Sequence, residues 1–113
     1  MTLTLAALSG QHCRPLRGAE HLLPASVVAE RLALLPDWCE RDGAIEKTFR
    51  FKNFHETMAF VNALAYIAHR EDHHPDLAVG YGQCTVRFNT HDVGGLSDND
   101  FICAAKVEGL GSP

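Results

Sequence analysis

The chain has 113 residues, of which 46% are hydrophobic and 21% charged, and it carries a formal net charge of −4. That is the composition of one globular domain with a single core. The acidic balance argues against a nucleic-acid partner, since phosphate contacts demand a basic surface. No stretch reaches the roughly 20 apolar residues of a membrane span, so no membrane partner is expected. Met1 to Gly10 contains no Lys or Arg, whereas a secretory leader needs a basic start; the sequence is read as cytoplasmic. Cys13, Cys39, Cys84 and Cys103 form no CxxC pair and are expected to be reduced, buried, small apolar side chains.

Residues 1–22 show no clear period and contain Gly10, Pro15 and Gly18. They are expected to be a flexible N-terminal arm, with the folded domain spanning 23–113. Pro24 to Leu35 reads as a helix with Val28, Leu32 and Leu35 on one face, ended by Pro36. Asp37-Trp38 and Asp42-Gly43 mark turns. Ala44 to Phe51 alternates: Ile45, Phe49 and Phe51 face one side and Glu46, Thr48 and Arg50 the other, with Lys47 a misfit on the apolar face. Asn53, with Glu56 three residues on, opens the longest helix. Its expected stripe is Phe54, Met58, Val61, Ala65 and Ala68, widened by Phe60, Leu64 and Ile67. Pro75 has no N–H and forces an end near His73. A short strand is expected near Leu77 to Tyr81, and Cys84 to Thr90 alternates with Cys84, Val86 and Phe88 inward. Ser97 and Asp100 form a capping box, with Leu96 and Phe101 as a hydrophobic staple, for a last helix reaching about Glu108 and capped by Gly109. The predicted fold class is α+β, with helices on one face of an antiparallel sheet. One strand cannot be assigned to particular residues.

Seven histidines are present, and His69, His73, His74 and His91 lie in the second half of the chain. His73 and His74 stand where a helix has just ended, so they can turn away from the core. The helix dipole there favours a protonated imidazole, and histidine exchanges protons near neutrality. His91 is placed at a strand end before the loop Asp92-Val93-Gly94-Gly95, a common site position.

The stretch Glu71-Asp72-His73-His74-Pro75-Asp76, followed by Thr90-His91-Asp92 and Gly95-Leu96-Ser97-Asp98-Asn99-Asp100, resembles the signature of the pterin-4a-carbinolamine dehydratases. Leu35-Pro36-Asp37-Trp38 and Phe49-Arg50-Phe51-Lys52-Asn53-Phe54 resemble two further family segments, so the likeness covers roughly residues 24–108. It implies a four-stranded antiparallel sheet with three helices on one face, assembled into a homodimer or homotetramer. It implies the dehydration of 4a-hydroxytetrahydropterin to the quinonoid dihydropterin, without metal or organic cofactor, in support of aromatic amino acid hydroxylases. Some animal members also serve as dimerisation cofactors of a transcription factor. Residue by residue, it assigns catalysis to His73, His74 and His91 and substrate binding to Trp38, Pro75 and Asp100, with His69 and Asp72 behind them. One position departs: the family often has an acidic residue one helical turn before the first catalytic histidine, and here that residue is His69.

Competing readings stand beside these. Asp100 is explained by the capping box alone, Trp38 by a place in the core, and Asp72 by a solvated helix end. His69 and His73 have the four-residue spacing of a zinc pair that His91 could complete, although no Glu follows the first histidine as in metalloproteases. A partner-binding module without enzymatic activity is the remaining alternative.

Overall fold

The computed structural model describes residues 3–111; the outermost residues of both predicted segments, 1–2 and 112–113, lie outside them. The elements in chain order are α1 (Leu5–Ser9), a 3-10 turn (Ala19–His21), α2 (Ala25–Leu32), β1 (Cys39–Arg41), β2 (Ala44–Arg50), α3 (Phe54–Glu71), β3 (Asp76–Val79), β4 (Gln83–Phe88), a second 3-10 turn (His91–Val93) and α4 (Asp98–Glu108). The strands form one antiparallel sheet in the order β1-β2-β4-β3. The architecture is α+β, as the sequence predicts, with α1 as a short fourth helix beyond the expected three.

The strand missing from the sequence reading is β1. It has only three residues, all exposed, and therefore no hydrophobic period. It exists because Asp42 (φ 51°) and Gly43 (φ 78°) make a two-residue turn with both φ values positive, the geometry that matches strand twist in a hairpin. Arg41 then pairs with Ala44 and Glu40 with Ile45.

The two faces of the sheet separate as the alternation requires. Ile45, Cys84, Val86 and Phe88 are buried against helices, joined in the core by Trp38, Phe60, Leu64, Phe101 and Ile102. The outer face carries polar cross-strand pairs: Thr48 with Thr85 at 2.8 Å, Arg50 with Gln83 at 2.9 Å and Arg87 with Glu46 at 2.7 Å. Lys47, the misfit on the inner face, reaches the sheet's end. There its ammonium pairs with Glu108 and lies 4.8 Å from the Phe49 ring centroid. Cys39 also departs from expectation, being exposed on β1.

The longest helix turns only part of its expected face inward: Phe60 and Leu64 are buried as expected, and Thr57 joins them from outside the expected stripe. Thr57, Phe60 and Leu64 are its buried residues, while Phe54 is 47% exposed. Thr57 is fully buried at little cost because its one hydroxyl proton is shared between two carbonyls within reach, those of Asn53 (2.9 Å) and Tyr81 (2.8 Å). A hydroxyl satisfied by a distant loop is invisible to hydrophobic periodicity.

The segment read as a loose arm is packed. Leu8 and Leu16 are buried, and polar bonds tie the segment to three distant elements. Cys13 N–H donates to Glu71 at 2.7 Å, Asn99 Nδ2 donates to the Arg14 carbonyl at 2.7 Å, and Gly18 N–H donates to the Asp92 carbonyl at 3.0 Å. Lys106 Nζ donates to the Ser9 carbonyl at 2.7 Å. No local sequence signal reports partners that far along the chain.

Candidate active site

Helix α3 ends in a left-handed residue. Asp72 has φ 51° and ψ 44°, and His73 N–H reaches back to the Ala68 carbonyl at 3.1 Å. This closes the last turn as a Schellman-type cap. Aspartate tolerates this conformation better than most residues do. The chain then leaves the helix axis, and Pro75 prevents its return.

His73 lands on Phe88, its ring parallel to the phenyl within 10° at a centroid distance of 5.9 Å. Its Nε2 lies 2.7 Å from Asp100 Oδ1, with 12% of the His73 side chain exposed and none of Asp100. The other oxygen of Asp100 accepts from Ser97 N–H at 2.9 Å and from the Thr90 hydroxyl at 2.8 Å. With its one proton given to Asp100, Thr90 accepts from the Ser97 hydroxyl at 2.6 Å. The capping box of α4 thus stands behind His73, with Ser97 and Asp100 themselves off the cavity linings. One carboxylate oxygen caps the helix and the other holds the imidazole. A carboxylate receiving Nε2–H leaves Nδ1 as the free nitrogen of the neutral ring, and Nδ1 has no hydrogen-bond partner among the described residues.

His73, His74 and His91 line the same cleft, of about 310 Å³, together with Asp72, Asp76, Arg87, Asn89, Thr90 and Asp92. That volume lies at the lower end of small-molecule sites. His74 is exposed, with Nδ1 3.3 Å from the Pro75 carbonyl. His91 does not end the strand as expected. It opens the 3-10 turn after β4, inside a loop closed by Thr90 N–H to the Gly95 carbonyl at 2.8 Å. Gly94 (φ 82°) supplies the left-handed turn that this closure needs. A second cavity, of about 390 Å³, shares Asp72, His73, Thr90 and Asp92 with the first and is walled by arm residues Cys13 to Arg17.

Four of the expected positions line neither cavity: Asp100, fully buried behind His73, and Trp38, Pro75 and His69. Trp38 is buried in the core, its ring centroid 6.1 Å from those of Phe49 and Phe88 and its Nε1–H bonded to Glu108 at 2.7 Å; it lines neither cavity. Pro75 is half-buried and also off both linings. His69 is exposed and off both, and among the described residues no three His, Cys, Asp or Glu side chains are grouped to hold a metal ion. The zinc constellation of His69, His73 and His91 is therefore not assembled. The acidic partner missing at position 69 comes instead from α4, as Asp100. Arg87 and Asn89 were missed as lining residues, although the alternation of β4 had already placed them on its polar face.

Glu71 backs the second cavity. Burial pushes its carboxyl up, but the Cys13 N–H, the His12 ring at 3.0 Å and the Lys106 ammonium outweigh that, so it titrates below the ordinary glutamate value.

Comparison with known proteins identifies the family and the fold. The family model described as pterin 4 alpha carbinolamine dehydratase matches residues 21–110. A protein of Stenotrophomonas maltophilia, provisionally named a pterin-4-alpha-carbinolamine dehydratase, is 56% identical over 108 residues, which cover 94% of this chain and 93% of that one. A relative from Xanthomonas campestris with the same provisional name is also 56% identical over 108 residues, covering 94% and 92%. Among solved structures, a transcriptional coactivator/pterin dehydratase from Brucella melitensis superposes with a TM-score of 0.75 at 31% identity, over 78% of this chain and 96% of that one. A pterin dehydratase-like RuBisCO assembly factor of the alpha-carboxysome shares the fold, with a TM-score of 0.55 at 24% identity, over 67% and 89%. The chain belongs to the pterin-4a-carbinolamine dehydratase family.

Proposed function

We propose that this chain removes water from 4a-hydroxytetrahydropterin by histidine acid–base catalysis. The observation that carries the reading is the His73–Asp100 pair: an imidazole fixed by a buried carboxylate at 2.7 Å, facing a cleft that also holds His74 and His91. The substrate carries a hydroxyl on carbon 4a and a proton on N5. Forming the quinonoid product breaks the C–O bond and draws the N5–H electron pair into a C=N bond. The hydroxyl needs a proton in order to leave as water, and N5 needs a base.

His73 acts at the hydroxyl. As the imidazolium it donates its Nδ1 proton, while Asp100 keeps Nε2–H and stabilises the charge, as the aspartate does in a serine-protease triad. His74 and His91 bind the pterin edge and share in taking the N5 proton; that proton then passes through solvent in the open cleft to His73, which closes the cycle with no net change in protons. Each such proton transfer is worth about 10²–10⁴-fold. The chemistry runs on side chains alone, and it ties the chain to the aromatic amino acid hydroxylases that release this carbinolamine.

The reading includes a cytoplasmic homodimer or homotetramer. Supporting assembly are Leu77 (38% exposed) and Val79 (43%) on edge strand β3, with Phe54 and Tyr66 on α3. Exposed apolar residues on a sheet edge are a hazard unless covered.

The test is dehydration of freshly generated carbinolamine. Turnover should exceed the spontaneous rate, and His73→Ala should remove it by roughly 10²–10⁴-fold while circular dichroism stays unchanged. Near wild-type turnover in that variant refutes the role. A wild-type rate equal to the spontaneous one favours the partner-binding alternative.

A further inference from the structure

Cys13 and Cys103 stand 90 positions apart in sequence, yet their Sγ atoms are 3.4 Å apart. Backbone fixes the approach on both sides. Cys13 N–H donates to Glu71, and the next residue is held by a reciprocal pair: Arg14 N–H to Asn99 Oδ1 at 3.2 Å and Asn99 Nδ2 to the Arg14 carbonyl at 2.7 Å. Cys103 follows Asp100 by three positions on α4, and its Sγ lies 4.0 Å from the His73 carbonyl oxygen. Access to the two sulfurs differs. Cys13 is half-buried and lines the cavity beside the candidate cleft, whereas Cys103 is fully buried.

We propose that Cys13 and Cys103 form a dithiol oxidation site that takes hydrogen peroxide or a small alkyl hydroperoxide and closes to an intramolecular disulfide, fixing residues 12–18 to α4 beside the His73–Asp100 pair. In the first step the Cys13 thiolate attacks a peroxide oxygen. An S–O bond forms, the O–O bond breaks, and the leaving hydroxide takes a proton to become water. In the second step Cys103 sulfur attacks the Cys13 sulfenic sulfur. An S–S bond forms, the S–O bond breaks, and the Cys103 proton leaves with the hydroxyl as a second water. Two thiols are oxidised and one peroxide is reduced.

The order of roles follows from the setting. Cys103 is fully buried, so it meets no dissolved oxidant directly, and its Sγ lies 3.4 Å from that of Cys13, which places it as the resolving partner. The sulfurs must close from 3.4 Å to the disulfide length of about 2.05 Å, a movement the arm can supply while α4 stays in the core. In a reducing compartment such a bond forms under oxidant and reverts with thiol.

The experiment uses the full chain carrying Cys39→Ser, which removes the exposed thiol that could link two chains. After hydrogen peroxide and alkylation, intact-mass analysis is expected to show the loss of two hydrogens per chain. Peptide mapping should show a Cys13–Cys103 linkage that dithiothreitol reverses. Both reactive cysteines are intact in that protein, so its folding does not depend on replacing a buried sulfur. The added variant Cys13→Ser should leave Cys103 free to alkylate after unfolding. Oxygen added at Cys13 with Cys103 unlinked, or no change in mass, overturns the proposal.

Discussion

Asp100→Asn isolates the orienting role of this carboxylate from its structural one. Asparagine offers one acceptor oxygen and one donor nitrogen where the carboxylate offered two acceptors. Two fixed donors, Ser97 N–H and the Thr90 hydroxyl, converge on Oδ2, and one ring nitrogen faces Oδ1. Leaving a buried donor without an acceptor costs about 1–3 kcal/mol. The amide therefore turns its oxygen to the two fixed donors and its nitrogen to His73. It then donates to Nε2, which must become the bare nitrogen, and the imidazole proton moves to Nδ1. The helix cap survives, but Nε2 now accepts from the amide, so the ring is held in the neutral Nδ1–H tautomer, and the imidazolium that should donate from Nδ1 loses both its Nε2 acceptor and its counter-charge. A tautomer error of this kind removes most of a general acid–base contribution, so kcat/KM should fall by roughly 10²–10⁴, or about 2.7–5.4 kcal/mol of transition-state stabilisation. The melting temperature should move by only a few degrees, about 1 kcal/mol for the lost charge assistance. The assay is carbinolamine dehydration alongside thermal unfolding, with ¹⁵N spectra of the ring to report the tautomer. A variant within a factor of a few of wild-type kcat/KM, carrying the switched tautomer, would show that Asp100 does not orient a catalytic ring.

Trp38→Phe should leave kcat/KM unchanged and cost about 2–4 kcal/mol in denaturant unfolding, because the bond to Glu108 is lost and a smaller ring leaves a gap in the core; a raised KM would put Trp38 at the substrate after all. Glu71 titrates below its reference value of 4.5 in the folded chain. Its contribution to stability is therefore complete above that value and is lost as pH falls through the lower folded value. Glu71→Gln should lower stability at neutral pH and converge with wild type in acid, and parallel curves across urea titrations would contradict this. Leu77→Lys on the exposed edge of β3 should shift the chain toward monomer in sedimentation, and an unchanged mass distribution would exclude that edge as the contact.

The parts legible in the sequence were those whose cause is local. The capping box at Ser97 and Asp100, the Asn53 cap and the alternation of β4 each depend on residues within a few positions, and each is found where expected. On α3 the burial of Phe60 and Leu64 is legible in the apolar period, whereas that of Thr57 is not, because it depends on the carbonyl of Tyr81, 24 positions away. The arm was read as loose because its anchors are Glu71, Asp92 and Asn99. One helical turn before His73 the sequence offers His69 and no carboxylate, and the carboxylate that meets the His73 ring comes from α4, 27 positions beyond it, a distance that local pattern does not span.

Asp100 holds His73 with an oxygen that its structural role leaves free. The capping box fully accounts for an acidic residue at that position, yet it uses only Oδ2. A carboxylate has two faces, and a cap needs one. The second is free to hold His73 because the C-terminal end of α3 packs against the first turn of α4, bringing a position that favours cations to one that favours anions. Capping in turn restrains the rotamer, so the oxygen offered to His73 is already immobile before any substrate arrives. The helix start therefore supplies the rigidity that a precisely held ring requires, and the stability of α4 and the geometry of the site rest on the same side chain.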